Sequence, residues 1–91
     1  MAARIEVEKI KDGEFRVRVI EGKSESTHHV TLNQDDYRSP SGGKIAPEEL
    51  IRRSFEFLLS REAKESILPR FDLPVIGRYF PEYERELKRK I

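Results

Sequence analysis

The sequence predicts an α+β fold in which a three-stranded antiparallel meander is followed by three to four helices packed on one face. Two patterns support this prediction. Between residues 4 and 32, apolar side chains alternate with charged or polar ones, which is typical of half-buried strands. From residue 47 onward, apolar side chains recur at helical spacing instead, in short blocks delimited by prolines.

Length and composition indicate one small soluble domain, 1–91. Charged residues make up 38% of the chain, but the apolar residues fall in periodic blocks, which favours a folded domain over a disordered tail. The 18 basic and 17 acidic side chains nearly cancel, so bulk charge does not draw the protein to nucleic acid or anionic lipid. The chain has no cysteine, which excludes disulfides and thiolate metal sites and fits the cytoplasm. We expect neither a signal peptide nor a membrane span.

The first two strands are predicted at about 4–10 and 14–21, with a hairpin turn at Asp12-Gly13. A three-residue loop with Gly13 in the left-handed conformation keeps apolar side chains on one face and sets opposite charges against each other on the other face. This register pairs Val7 with Val17, Ile5 with Val19, Glu8 with Arg16, and Glu6 with Arg18.

A third strand is predicted at about 26–32, after a four-residue loop from Gly22 to Glu25. This loop would place Val30 beside Val17, Leu32 beside Phe15, His28 near Val19 on the buried side, and His29 near Arg18 on the outside. The polar segment 33–45 follows as a loop, in which Pro40 limits any helix to about one turn.

Helices are predicted at about 47–61, 63–68, 72–79 and 81–90. In the first, Pro47 suits the first helical position and Glu48-Glu49 complement the positive end of the helix dipole, although Ala46 is a poor cap. The apolar face of this helix comprises Ile51, Phe55, Leu58 and Leu59, with Leu50 and Ser54 at its margin. Pro69 ends the second helix, Asp72 caps the third, and Pro81 starts the last.

No residue pattern predicts a catalytic, cofactor or metal site. His28 and His29 point to opposite faces of a strand, so they cannot grip one metal ion together. Asp35-Asp36 are better explained as turn residues. The segment Ser39-Pro40-Ser41-Gly42-Gly43 lacks the ending of a phosphate-binding loop. We therefore predict that the protein is not an enzyme.

Two groups of side chains could serve recognition. Phe71, Tyr79, Phe80 and Tyr83 are predicted to pack the short helices onto the sheet, with an aromatic docking surface as the alternative. The basic clusters are interleaved with glutamates and predict solvated helix faces, with a phosphate- or protein-binding patch as the alternative. These clusters are Arg52-Arg53, Arg61 with Lys64, and Lys88-Arg89-Lys90.

Three segments of the chain carry a resemblance to a group of short uncharacterised prokaryotic proteins. They are Thr27 to Leu32, Pro47 to Leu59, and Phe71 to Tyr83. The resemblance implies a bacterial or archaeal stand-alone domain and no particular activity.

The stretch from His29 to Leu59 also resembles ribbon-helix-helix repressors, in which paired strands of a dimer enter the DNA major groove. The resemblance implies that His29 and Thr31 would read bases, and the DNA-binding alternative adds Arg18 as a further nucleic-acid contact. Pro40 within the first helix and two hairpin strands ahead of the ribbon depart from the pattern of that family.

The sequence therefore predicts a small non-catalytic module that acts through protein–protein contact. A DNA-binding regulator of ribbon-helix-helix type is the alternative. Because a three-stranded sheet has two free edges, a homodimer formed by strand-edge pairing is also expected.

Overall fold

The computed structural model describes residues 3–33 and 45–90. Most of the predicted loop 33–45, with Asp35-Asp36 and Ser39 to Gly43, lies outside these residues. The elements are β1 (Arg4–Lys11), β2 (Glu14–Glu21), β3 (Ser24–Thr31), α1 (Pro47–Arg61), a 3-10 turn (Lys64–Ser66), β4 (Arg70–Asp72), α2 (Val75–Tyr79) and α3 (Tyr83–Lys90). The α+β class is confirmed, and the described part of the chain has four strands where three were expected.

The first hairpin forms as predicted. All four expected pairs of β1 and β2 occur, and the register shifts only between Lys9 and Lys11, next to the turn. Gly13 has φ 80°, and its carbonyl accepts a hydrogen bond from the Leu32 amide at 2.9 Å. A residue with a side chain would be strained in this conformation, which explains the glycine.

The second hairpin differs from the prediction by two residues. Gly22-Lys23 form a two-residue turn, so Phe15 lies opposite Val30 and Val17 opposite His28. The four-residue loop was wrong because Gly22, with φ 60°, allows the tighter turn that matches strand twist. The faces were nevertheless correct, because a shift of two residues keeps every side chain on its side of the sheet.

The chain re-enters the sheet at β4, which pairs with β3 in parallel and gives the order β1-β2-β3-β4. The helices predicted at 63–68 and 72–79 were therefore partly wrong. Only a 3-10 turn forms in the first, and α2 begins at Val75 in the second. Asp72 caps no helix; its Oδ1 accepts a hydrogen bond from Thr31 Oγ1 at 2.7 Å.

The core lies between one face of the sheet and the helices. Phe55 of α1 is fully buried and packs between His28 and Phe71, with ring centroids 5.4 and 5.9 Å away. Phe57, which was not assigned to the apolar face of α1, is also buried, against Phe80 and Tyr83. The buried surface of α1 is therefore wider than the predicted stripe, because the sheet packs against one side of it and the segment from Phe80 to Tyr83 against another.

A buried hydrogen-bond chain ties α3 to α1. The Ser54 hydroxyl donates to the Leu50 carbonyl at 2.8 Å, and the Tyr83 hydroxyl lies 2.6 Å from Ser54 Oγ. Burial raises the pKa of Tyr83 to about 12.

The two turn glycines provide a matched pair of substitutions. Gly22→Ala should lower the free energy of unfolding by about 1 kcal/mol, the cost of a side chain at positive φ. Gly13→Ala should cost more, about 2 kcal/mol, because its Cβ would also lie 3.3 Å from the Leu32 carbonyl oxygen, whereas the space at Gly22 is open. Urea unfolding of both variants measures the difference. Equal losses would mean that Leu32 moves away without cost.

Tyr83 should make stability depend on pH above 10. Its pKa is higher in the folded state than the ordinary value of 10, so its stabilisation is complete below pH 10 and is lost as pH rises towards 12. The loss should reach about 2–3 kcal/mol. Tyr83→Phe should cost about 1 kcal/mol at pH 7 and remove this part of the pH dependence. Urea unfolding of both proteins at pH 7 to 12 measures this, because lysine titration is the same in both and cancels in the difference. If the two free energies of unfolding changed with pH in parallel, the role of Tyr83 would be contradicted.

Candidate functional site

A surface groove, here called the apolar groove, lies where the C-terminal end of α1 meets the segment around β4 and α2. Its volume is about 350 Å³. The lining residues are mostly apolar: Leu58, Glu62, Ser66, Ile67, Leu68, Phe71, Val75, Ile76, Tyr79 and Phe80. The volume is near the lower end of the range for binding pockets, enough for one or two large side chains of a ligand.

The rim of the groove exposes apolar side chains to solvent. Among the described residues, three large apolar side chains are exposed: Ile10 (42%), Leu68 (43%) and Tyr79 (68%). Leu68 and Tyr79 both line the apolar groove, whereas Ile10 lies near the end of β1. Single exposed apolar residues are ordinary on a protein surface, but two at one concave site indicate a place for binding.

The walls of the groove belong to the packed core. Phe71 at its base contacts Phe55 of α1, and Phe80 stands edge-on to Phe57 at 5.8 Å. The Phe80 amide donates to the Ile76 carbonyl at 2.9 Å, which closes the last turn of α2. The groove is therefore formed before any ligand arrives, which lowers the entropic cost of binding.

His28 fixes one side of the groove from inside the core. Its Nδ1 lies 2.8 Å from the Leu68 carbonyl oxygen. Since a carbonyl can only accept, Nδ1 carries the proton and donates it. Nε2 lies 2.8 Å from Ser26 Oγ and in the neutral ring accepts the serine hydrogen. His28 is packed in the core as predicted, although it pairs with Val17 and not with Val19, whereas His29, predicted to be exposed, is half-buried.

Glu62 is the one charged side chain among the groove residues. Its backbone amide donates to the Leu58 carbonyl at the end of α1. Its carboxylate makes no ion pair with any residue in the described part of the chain, unlike Glu49, whose pKa falls to about 2 through hydrogen bonds from Arg52 and Arg53. The groove thus presents apolar surface together with a carboxylate that is available to a cation.

The residues predicted for nucleic-acid contact lie elsewhere, on the outer face of the sheet. Arg18 is held by Glu25 and Glu6 at 2.5 and 3.1 Å, and Thr31 is bonded to Asp72. His29 Nε2 is buried without a hydrogen-bond partner, 3.8 Å from Glu14. Arg18, His29 and Thr31 therefore share one face of the sheet, but the side chains of Arg18 and Thr31 are already bonded within the chain.

The strand that the repressor resemblance requires as a free ribbon is enclosed. β3 pairs with β2 over its whole length, and His29, Val30 and Thr31 pair with β4 on the other side. Both edges of β3 at these residues are therefore occupied within one chain.

The basic clusters are largely neutralised by glutamates, as predicted for solvated helix faces. Their contacts are Arg52 and Arg53 with Glu49, Arg61 with Glu82, Lys88 with Glu84, and Arg89 with Glu86. Lys64 departs from this picture, because its side chain is buried between Glu21 and Glu65, which raise its pKa. Within residues 3–33 and 45–90, no three acidic or histidine side chains are grouped to hold a metal ion.

The four aromatic residues singled out from the sequence divide between two roles. Phe71 and Tyr83 are buried, as core packing predicts, whereas Tyr79 is exposed and Phe80 half-buried at the groove. Sequence reasoning did not identify Glu62 or Leu68 as site residues. Leu68 precedes Pro69 at the predicted end of a helix, and the signal for its role is a large apolar residue in a segment of turns.

None of the helices in the described ranges has the length and apolar character needed to cross a bilayer. Comparison of the chain with protein-family models, curated proteins and solved structures found no match.

Replacing His28 should loosen the groove from within. His28→Leu removes the donor to the Leu68 carbonyl and should lower the free energy of unfolding by about 1–3 kcal/mol, the cost of an unpaired buried group. It should also speed amide hydrogen exchange at Arg70–Asp72, because this side of the groove loses one attachment. Exchange measured by mass spectrometry tests this, with the β1–β2 hairpin as internal control. Equal acceleration in the hairpin would contradict a local role.

Proposed function

We propose that the protein is a cytoplasmic, non-catalytic interaction module whose apolar groove binds a segment of another protein. The expected segment carries a bulky apolar side chain next to a lysine or arginine. Exposure of Leu68 and Tyr79 at the rim of one concave, mostly apolar site is the observation that carries the proposal. The absence of cysteine fits the reducing compartment.

The chemistry of the partner follows from the groove. Covering the exposed parts of Leu68 and Tyr79 stabilises a complex by about 25 cal/mol for each Å² of apolar area removed from water. A cation on the partner would meet Glu62 at a partly desolvated site, where a charge pair adds more to specificity than to affinity. Large apolar anchors in preformed pockets typically carry most of the affinity of such contacts.

The groove is suited to binding and not to group transfer. Its polar side chains are Glu62, Ser66 and the Tyr79 hydroxyl. None of the described contacts joins Ser66 to a base that could activate it as a nucleophile. A reaction would need several convergent polar groups, whereas this site offers mainly apolar area.

Peptide display on the purified protein tests the proposal. We expect selection from a random linear library to enrich peptides with Leu, Phe or Trp beside Lys or Arg. Binding of a synthetic selected peptide, measured by fluorescence anisotropy, should weaken about fivefold on Leu68→Ala and about thirtyfold on Tyr79→Ala. Glu62→Lys should instead change the preferred charge of the peptide.

Ile10→Ala is the matched control, because Ile10 is as exposed as Leu68 but lies outside the groove. It should leave peptide affinity unchanged. Peptides whose binding ignores Leu68 and Tyr79, or responds equally to Ile10→Ala, would place the interaction elsewhere and overturn the proposal. Enrichment of acidic peptides would contradict the role of Glu62.

A further inference from the structure

The outer edge of β1 is unpaired within the part of the chain that the structure describes. In the strand order β1-β2-β3-β4, β1 pairs only with β2, and it is eight residues long. The opposite edge is formed by β4, which has only three residues. A long edge strand has a row of unpaired backbone amides and carbonyls, and such a row can pair with another strand.

Two apolar side chains of β1 are left incompletely covered. Ile5 and Val7 pack against the core but remain half-buried, whereas Val17 and Val19, opposite them on β2, are fully buried. Another strand added at this edge would extend the apolar face of the sheet and cover Ile5 and Val7 further.

Two charges on the outer face of β1, those of Arg4 and Glu8, are complementary when the strand pairs antiparallel with a copy of itself. Arg4 and Glu8 are four residues apart, with Glu6 between them. Arg4 and Glu8 are both well exposed, at 75% and 67% of their side-chain areas. Each forms one ion pair within its own chain, Arg4 with Glu6 at 2.9 Å and Glu8 with Arg16 at 2.8 Å.

From these features we propose that β1 pairs with β1 of a second copy of this chain, antiparallel and centred on Glu6. Arg4 of each copy then lies opposite Glu8 of the other, and Ile5 lies opposite Val7. Glu6 meets Glu6 of the other copy at the centre, where each is held by Arg18 of its own chain at 3.1 Å. The two sheets join into one continuous eight-stranded sheet, with the helices of both copies on the same face. The inference is independent of the apolar groove.

Neighbouring registers are less favourable. Centring the pair on Val7 sets Glu6 against Glu8 and Ile5 against Lys9, which puts like charges together and a cation on the apolar face. Centring it on Ile5 sets Arg4 against Glu6 but shortens the pairing within the described residues to 3–7, so that Glu8 has no partner there. The centre at Glu6 keeps Ile5 and Val7 on the apolar face and forms two Arg4–Glu8 pairs, against one Glu6–Glu6 contact whose charge is offset by the Arg18 beside each Glu6.

The same strand limits how far pairing extends. Lys9 directly follows the outward-facing Glu8, so its charged side chain lies on the opposite, apolar face of the strand. The register with β2 also shifts between Lys9 and Lys11. Inward charges and irregularities at strand ends protect edges from indefinite association. Pairing is thus confined to residues 4–8, which favours a closed dimer over a fibre.

Charge exchange tests the proposal. Sedimentation equilibrium of the full chain should show a monomer–dimer equilibrium. Arg4→Glu or Glu8→Arg alone should weaken it about tenfold, because each creates two like-charge pairs across the interface. Arg4→Glu combined with Glu8→Arg should restore dimerisation. Arg85→Glu on α3, at an exposed arginine without an ion pair in the described residues, is the control and should change nothing.

Hydrogen exchange of the unaltered protein gives a second measurement that does not depend on the variants folding. Amides of residues 4–8 should become more protected as concentration rises, while those of β3 stay constant. A monomer at the highest soluble concentration would overturn the proposal. The proposal would also be overturned if neither single charge reversal weakened the dimer, or if the combined variant dimerised no better than the single variants. Protection at residues 4–8 that does not change with concentration would overturn it too.

Discussion

The attachment of the segment from Leu68 to Leu73 to β3 is the constraint on which the remaining architecture depends. The His29 amide donates to the Pro69 carbonyl at 2.8 Å, and the Leu73 amide donates to the Thr31 carbonyl at 2.9 Å. Between these two bonds, β4 lies in register with β3, and His28 holds the Leu68 carbonyl from the core side. This pairing satisfies backbone amides and carbonyls at a buried edge of the sheet. Left unpaired, each of these groups would cost free energy comparable to a lost hydrogen bond. α1 is thereby covered at its C-terminal end, and α2 starts directly beside it.

The meander could be predicted because its determinants are local. The alternation of side chains assigns faces, and the charge pairs of Glu6 and Glu8 with Arg18 and Arg16 select one register for β1 and β2. The second turn was less determined, since loops of two and four residues both keep the apolar face intact. Only the preference of Gly22 for positive φ distinguishes them, and the sequence around it has no strong turn dipeptide.

β4 and the groove could not be predicted from local pattern. Three residues are too few to show a strand period, and the partner of Phe71 is Val30, 41 positions earlier in the chain. Proline spacing suggested helices on either side of Pro69, whereas the pairing with β3 takes Phe71 and Asp72 into the sheet. The exposure of Tyr79 and burial of Tyr83 likewise depend on which face of each short helix meets α1. A helix of five residues is too short for a pattern to reveal that face.

The two proposed surfaces lie at opposite edges of the sheet, which has a consequence for how they would act together. β1 forms one edge, while the groove is built around β4 at the other, so pairing through β1 leaves the groove open. In the paired form the two β4 strands are separated by seven strand spacings, roughly 34 Å at about 4.8 Å each. Two grooves held at a fixed distance engage a partner with two matching segments more tightly than one groove does, because the second contact forms within the same complex. A groove that binds its partner weakly gains most affinity from a second, linked groove. In the paired form, the β1 edge would fix the distance between the two grooves, and the grooves would supply the contacts with the partner.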